Sequence, residues 1–145
     1  MLSFENSATF SKAEESGVAL GNFWEPEEGF VWSTGRWCEI MFSFDNAGRP
    51  PGLLADLIID IDVFKREGHL EGQNVLLYLN GLRIASYFVQ RRTTYFASFD
   101  PKLLKPNDNV LTIDTPDTAR PSDFGSEDDR LLGVQVFSLQ VRKSG

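Results

Sequence analysis

The chain has few of the residues on which many catalytic and metal-binding sites depend. Its 145 residues include a single cysteine, Cys38, and a single histidine, His69. One cysteine rules out an intrachain disulfide, and one residue of each type argues against a zinc site. Cys38 alternates with apolar residues, so we expect it to be buried and unreactive. His69 lies in the charged segment REGHLEGQN, where we expect it to be exposed to solvent.

Basic residues and long apolar runs are also scarce. The 14 Lys and Arg residues are outnumbered by 21 Asp and Glu, which gives a net charge of −7. Because an acidic surface repels phosphate groups, we expect no nucleic acid or anionic membrane partner. No run approaches the ~20 apolar residues of a membrane helix. The first residues lack the basic and apolar regions of a secretory signal, so the prediction is a cytoplasmic protein.

The hydrophobic pattern that is present has a period of two. In residues 55–63, ADLIIDIDV, apolar side chains alternate with acidic ones, as in a half-buried strand, and RWCEIMFSFD behaves similarly. Asn80-Gly81 between two β-rich runs predicts a hairpin. Helical signals are limited to single turns at 11–16 and after Asp100. About eight or nine strands predict one antiparallel β-sandwich, or jelly roll, over residues 1–145.

All three tryptophans lie in one stretch, NFWEPEEGFVWSTGRW. Pro26 and Gly29 place Trp24 in a loop. A ring beside carboxylates suits sugar recognition, since the ring covers a C–H face while Glu25 and Glu27 accept hydrogen bonds from hydroxyl groups. The alternative is that Trp24 and Trp32 fill the end of the sandwich.

Trp37 is a candidate for a surface platform. It neighbours Cys38 on a predicted strand, so an inward Cys38 directs Trp37 outward. We expect Trp32 to belong to the core end, and Trp24 and Trp37 to form a surface.

Two groups of acidic residues are further candidates. Asp56, Asp60 and Asp62 share one strand face; they could form a carboxylate pair for glycoside cleavage or a calcium site, or simply a solvated face. Asp128 and Arg130 precede the last strand. Arg130 could pin the long 115–129 loop by pairing with Glu27 or Glu28, or line the ligand site beside Trp24.

The motifs WEPEEGFVWSTG, VLLYLNG and PSDFGSEDDRLLGV together resemble a bacterial jelly-roll module appended to glycosyltransferases and other surface-polysaccharide proteins. The resemblance spans about residues 20 to 141. It implies a jelly roll associated with glycans, with a glycosyltransferase as a possible partner.

The leading hypothesis is therefore a non-catalytic carbohydrate-binding module of bacterial surface-polysaccharide metabolism. Its predicted ligand-binding residues are Trp24, Glu25, Glu27, Trp37, Asp128 and Arg130. The alternatives are a protein-interaction or oligomerisation module and a glycoside-processing enzyme that uses Asp60 and Asp62. No cofactor is expected, although acid-rich segments around Glu5, Glu14, Glu15 and Asp128 leave a structural calcium ion open.

Overall fold

A computed structural model describes residues 2–3, 6–10, 18–45 and 54–143. Within these residues the chain forms ten strands and two short 3-10 turns. The strands, in chain order, are β1 (Ser7–Thr9), β2 (Val18–Gly21), β3 (Val31–Trp32), β4 (Trp37–Phe42), β5 (Ala55–Val63), β6 (Gln73–Leu79), β7 (Leu82–Val89), β8 (Thr93–Phe99), β9 (Asn109–Asp114) and β10 (Val134–Lys143). No helix in this part of the chain is long and apolar enough to cross a membrane.

The strands form two antiparallel sheets, which confirms the predicted β-sandwich. Sheet I has the order β2-β4-β9-β6-β7. Sheet II has the order β1-β10-β5-β8, and β3 pairs with β10 as well. The ten strands compare with the eight or nine predicted. The two-residue β3 and the three-residue β1 are too short for an alternating pattern to reveal them.

The core lies between the two sheets and follows the alternation in the sequence. Cys38, Ile40 and Phe42 of β4 are buried, and so are Leu57, Ile59 and Ile61 of β5. Neighbouring side chains on these strands point to the opposite face. The burial of Cys38 raises the pKa of its thiol, as expected for an unreactive cysteine.

The predicted turns are confirmed where the structure describes them. Asn80 and Gly81 both have positive φ, 50° and 87°, which a two-residue hairpin of type I′ requires. The 3-10 turn Pro101–Leu103 follows Asp100, whose carboxylate accepts a hydrogen bond of 2.9 Å from the amide of Lys102. The helical turn predicted at 11–16 lies outside the described residues.

The connections that follow β2, β3, β5, β7 and β9 all lie at one end of the sandwich, which we call the loop end.

The longest connection, 115–133, folds back on itself through paired Ala119 and Leu132. Its Phe124 ring lies 6.1 Å from the ring of Phe64 and 5.5 Å from that of His69. His69 is nevertheless exposed, as predicted.

Two leucines of the β6–β7 hairpin test this packing. Leu77 is fully buried, whereas Leu82 is 58% exposed. We predict that Leu77→Ala lowers the free energy of unfolding by ~2–5 kcal/mol, because it leaves a cavity between the sheets. Leu82→Ala should change it by no more than about 0.5 kcal/mol. Urea denaturation measures both, and equal effects would contradict the assigned inner face.

Candidate functional site

Trp37 begins β4 at the loop end and points away from the core, as predicted. Its side chain is 47% exposed, whereas the next residue, Cys38, is fully buried. The ring lies 6.4 Å from the ring of Tyr78 on β6, and the two rings are tilted by 50°. Two aromatic faces therefore lie together on the outer surface of sheet I.

An arginine–aspartate pair lies beside Trp37. Arg36 donates two hydrogen bonds to the carboxylate of Asp114, at 2.7 and 3.1 Å, and its guanidinium lies 5.0 Å from the centre of the Trp37 ring. The Asp114 side chain is only 4% exposed. Hydrogen bonding to this carboxylate raises the pKa of Arg36. We call Arg36, Trp37, Tyr78 and Asp114 the Trp37 platform.

The platform continues as a row across sheet I. The strand register pairs Trp37 with Asp114, Asp114 with Leu76 and Leu76 with Ser86. Directly paired residues share a face of the sheet, and three strand spacings of ~4.8 Å span about 14 Å. The row is therefore an elongated surface that crosses β4, β9, β6 and β7.

A depression of about 370 Å³ lies at the far end of this row. Asn74, Leu76, Arg83, Ser86, Tyr87, Phe88 and Pro116 line it. Phe88 is 55% exposed there. The carboxylate of Asp117 holds Asn74 in place. It accepts hydrogen bonds from the backbone amide and from the side-chain amide of Asn74. An aromatic ring thus lies near each end of the row.

Trp24 lies in a separate loop that is folded as a narrow hairpin. The Trp24 amide donates to the carbonyl of Trp32 at 2.8 Å, and the Glu27 amide donates to that of Phe30 at 2.8 Å. The indole Nε1–H donates to the carbonyl of Leu131 at 3.4 Å. The side chain remains 37% exposed. These contacts fix the orientation of the ring while leaving part of it open to solvent.

Arg130 connects the Trp24 loop to the 115–133 connection. It donates to both carboxylate oxygens of Asp128, at 2.8 to 3.2 Å, and one of its nitrogens lies 3.7 Å from the carboxylate of Glu27. Hydrogen bonding from Arg130 lowers the pKa of Asp128. The structure therefore brings Glu27, Asp128 and Arg130 together as an ion-paired latch, in agreement with the loop-pinning interpretation.

The predicted site thus divides into two parts. Trp24 and Glu25 line one groove beside the latch of Glu27, Asp128 and Arg130. Trp37 instead contacts Arg36 and Tyr78 on the outer surface of sheet I.

The expectation that Trp32 belongs to the core end was wrong. On β3 it is Val31 that is fully buried, and Trp32 is only partly buried. Its ring packs edge-on against Phe30 at 6.3 Å, and Phe30 in turn contacts Phe137 at 5.5 Å. The alternation of the strand explains the difference, since only one of two adjacent residues can face the core.

The three acidic side chains on β5 each have a partner. Asp60 forms an ion pair with Arg92, Asp56 accepts a hydrogen bond from Ser98 at 2.7 Å, and Asp62 accepts one from the Val63 amide at 2.8 Å. These contacts fit a hydrogen-bonded sheet face better than a pair of carboxylates poised for glycoside cleavage.

Calcium remains an untested prediction. Within the described ranges no three His, Cys, Asp or Glu side chains are grouped so that they could hold a metal ion. Asp128 is engaged by Arg130. Glu5, Glu14 and Glu15 lie outside the described residues.

Sequence reasoning missed three members of the platform. Asp114 and Tyr78 are distant from Trp37 along the chain, and only the strand register brings them to it. Arg36 is adjacent to Trp37, and an arginine beside an outward tryptophan was a usable signal.

No protein-family model matches the sequence, and neither does any curated protein. Solved structures do share its fold. The CBM22-1 xylan-binding domain from Paenibacillus barcinonensis matches 95% of this chain and 92% of its own, with a TM-score of 0.55 and 12% identity. An acetyl xylan esterase from Butyrivibrio proteoclasticus matches 96% of this chain with a TM-score of 0.54 and 10% identity, but the match covers only 32% of the esterase.

A carbohydrate esterase from Cellvibrio japonicus gives a similar result. It matches 97% of this chain and 33% of its own, with a TM-score of 0.51 and 7% identity. The described chain therefore shares its β-sandwich, or jelly-roll, fold with these proteins, and it spans about a third of the length of each esterase. At these identities the similarity extends to the fold alone.

Acid should weaken the latch. Because the pKa of Asp128 is lowered in the folded state, this group stabilises the fold above its unfolded value of about 3.9, and the contribution disappears as pH falls through the folded pKa. We predict that Asp128→Asn costs at most about 1 kcal/mol at neutral pH, because the pair is partly exposed, and that the cost shrinks below about pH 4.

Urea denaturation across pH measures this difference. Asp123→Asn is the matched control, since Asp123 lies in the same connection and is exposed. A cost for Asp128→Asn that does not change with pH would show that the ion pair is not its source.

Proposed function

We propose that the protein is a non-catalytic carbohydrate-binding module and that the Trp37 platform is its binding surface. The observation that carries this proposal is an exposed tryptophan, 47% accessible, whose ring lies near Arg36, an arginine neutralised by Asp114, and beside the ring of Tyr78. The fold shared with a xylan-binding domain supports a glycan as the ligand.

The chemistry of the platform suits a sugar. The exposed ring offers an apolar face to the C–H groups of a pyranose, and the remaining donors of Arg36 can reach its hydroxyl groups. Ion pairing with Asp114 holds both groups in place before the ligand arrives, so little side-chain entropy is lost on binding. A shallow, hydrated surface of this kind gives modest affinity.

The shape of the row favours a linear chain over a single sugar. The row crosses four strands and ends at the depression beside Phe88. A ligand that covers both ends would contact Trp37 and Phe88 together. We therefore propose an internal segment of a polysaccharide as the ligand. The resemblance in the sequence favours a bacterial surface polysaccharide, and a glycosyltransferase as the partner that the module would bring to it.

Replacing Trp37 tests the platform. We predict that Trp37→Ala weakens glycan binding by about 5- to 30-fold, because contact with the ring contributes roughly 1–2 kcal/mol and 1.4 kcal/mol corresponds to a factor of ten. Isothermal titration with xylan fragments and with bacterial surface polysaccharides measures the change.

The control for Trp37 is Phe96→Ala. Phe96 is 58% exposed but lies on β8, in the other sheet, so its removal should leave binding unchanged. Equal losses for the two variants would argue against a site on sheet I. A protein that binds none of these glycans would refute the proposed function.

Chain length tests the elongated shape of the site. We predict that affinity rises with the number of sugar units and then levels off once the row is filled. Phe88→Ala should weaken binding of the longest oligosaccharide several-fold and leave the shortest unaffected, because only a long ligand reaches that end. An affinity that is independent of length would contradict a linear site.

A protein-interaction module is the second candidate. Leu82 and Phe88 of β7 in sheet I and Phe96 of β8 in sheet II are each more than half exposed, and exposed apolar side chains can mark a contact with another protein. Analytical ultracentrifugation tests the self-association form of this candidate. Dimers that are lost in Phe96→Ala would support it, whereas a monomer at every concentration would exclude self-association.

A further inference from the structure

A groove beside Trp24 forms a second pocket, apart from the Trp37 platform. It has a volume of about 360 Å³ and is lined by Val18, Ala19, Leu20, Phe23, Trp24, Glu25 and Pro26. This volume lies at the lower end of the range of ~300–1,000 Å³ that is typical of small-molecule sites. We call it the Trp24 groove. It runs along β2, which forms one edge of sheet I.

The groove has an apolar floor and one oriented aromatic side. Phe23 packs against the core, and Val18 is 8% exposed. The Trp24 ring is held by its hydrogen bond to the Leu131 carbonyl, and the loop around it is latched by Arg130. Since its Nε1–H already donates to Leu131, the Trp24 ring can offer a ligand its face but no hydrogen-bond donor.

The charge around the groove is negative. Glu25 lines it, and Glu28 follows in the same loop; among the described residues neither has an ion pair or a side-chain hydrogen bond. The only cation of the latch, Arg130, is shared between the carboxylates of Glu27 and Asp128. Within the described part of the chain, two carboxylates of the Trp24 loop therefore have no cationic partner.

We propose that the Trp24 groove binds a ligand carrying a protonated amine, and that within glycans this ligand is an amino sugar whose nitrogen is not acetylated. A cation over the face of a tryptophan is attracted by the ring, and among aromatic side chains tryptophan gives the strongest attraction. The carboxylate of Glu25 adds an ion pair to the same group. A neutral sugar gains only the contact with the ring, so the charge selects the amine.

This site is separate from the Trp37 platform, because it uses different residues and a different kind of attraction. The Trp24 groove adds a class of sugar to the proposed glycan-binding role. Binding of an amine in the groove does not, however, require that the Trp37 platform binds a glycan. A polysaccharide that carries free amino groups would engage both sites of one module. Its affinity would then exceed that of either site, provided that one chain spans both.

The indole N–H signals in NMR spectra give a direct test. The chain has three tryptophans, so it gives three such signals, which single Trp→Phe variants assign. Glucosamine is the amine probe, and N-acetylglucosamine is the matched neutral probe. We expect millimolar glucosamine to move the Trp24 signal and leave the Trp37 signal in place, and N-acetylglucosamine to move the Trp24 signal several-fold less.

Two variants and a change of salt concentration test whether the charge of Glu25 contributes to binding. Glu25→Gln should weaken glucosamine binding several-fold without affecting the fold, because Glu25 is exposed. Glu71→Gln, an exposed acid in the β5–β6 connection, should leave it unchanged. Raising the salt concentration from about 0.01 M to 0.2 M should weaken binding, since the Debye length falls from ~30 Å to below ~10 Å.

Three results would overturn the proposal. Equal shifts with the amine and the acetylated sugar would remove the selection for charge. A Trp24 signal that neither probe moves, even at the highest probe concentration, would show that the groove binds neither sugar. A shift of the Trp37 signal alone would refute binding at the Trp24 groove and support binding at the Trp37 platform. A shift of the Trp24 signal alone would support binding at the groove and not at the platform.

Discussion

The contact between the inner faces of the two sheets is the interaction on which the rest of the structure depends. Alternate residues of β4, β5, β6, β9 and β10 pack there, and most of them are fully buried. The single cysteine excludes disulfides within the chain, and the described residues hold no cluster of metal ligands. Burial of apolar surface therefore supplies the main stabilisation, and it also fixes which side chains point outward.

Ion pairs organise the surface that this packing leaves outside. Two arginine–aspartate pairs lie next to an aromatic ring, and a third braces the loop that carries Trp24. Arg36 and Asp114 hold Trp37, Arg130 and Asp128 brace the Trp24 loop, and Arg92 pairs with Asp60 while its guanidinium lies 3.6 Å from the centre of the Phe137 ring. In each case the carboxylate neutralises the arginine, and the pair limits the freedom of the two side chains that form it.

The two proposed sites use these rings in different ways. On the Trp37 platform the nearby charges are balanced, because Arg36 is paired with Asp114, and the surface is long and shallow. At the Trp24 groove the carboxylates outnumber the cation, and the surface is a compact pocket. Balanced charge suits a neutral polysaccharide chain, whereas unpaired carboxylates suit a cation. Both proposed sites lie outside the contact between the sheets, so one sandwich could carry them without change to its core.

The sequence by itself determined the class of the fold and the orientation of its strongest strands. Alternation over 37–42 and 55–63 set the inner faces, Asn80-Gly81 set a hairpin, and the position of Trp37 beside Cys38 set its exposure. These are local properties, since the side-chain period of a strand needs no knowledge of its neighbours. The loop latch of Arg130 was also anticipated, because its partners in sequence were acidic.

Only the tertiary structure decided which distant residues meet. The register of β4, β9 and β6 joins Trp37 to Asp114 and Tyr78, and no local pattern encodes that register. Trp32 was misplaced because a two-residue strand carries too little alternation to show its inner side. Trp24 and Trp37 are close in sequence but lie apart on the surface for the same reason. The loop that carries Trp24 is paired with the 115–133 connection through Arg130, whereas β4, which begins with Trp37, pairs with β9.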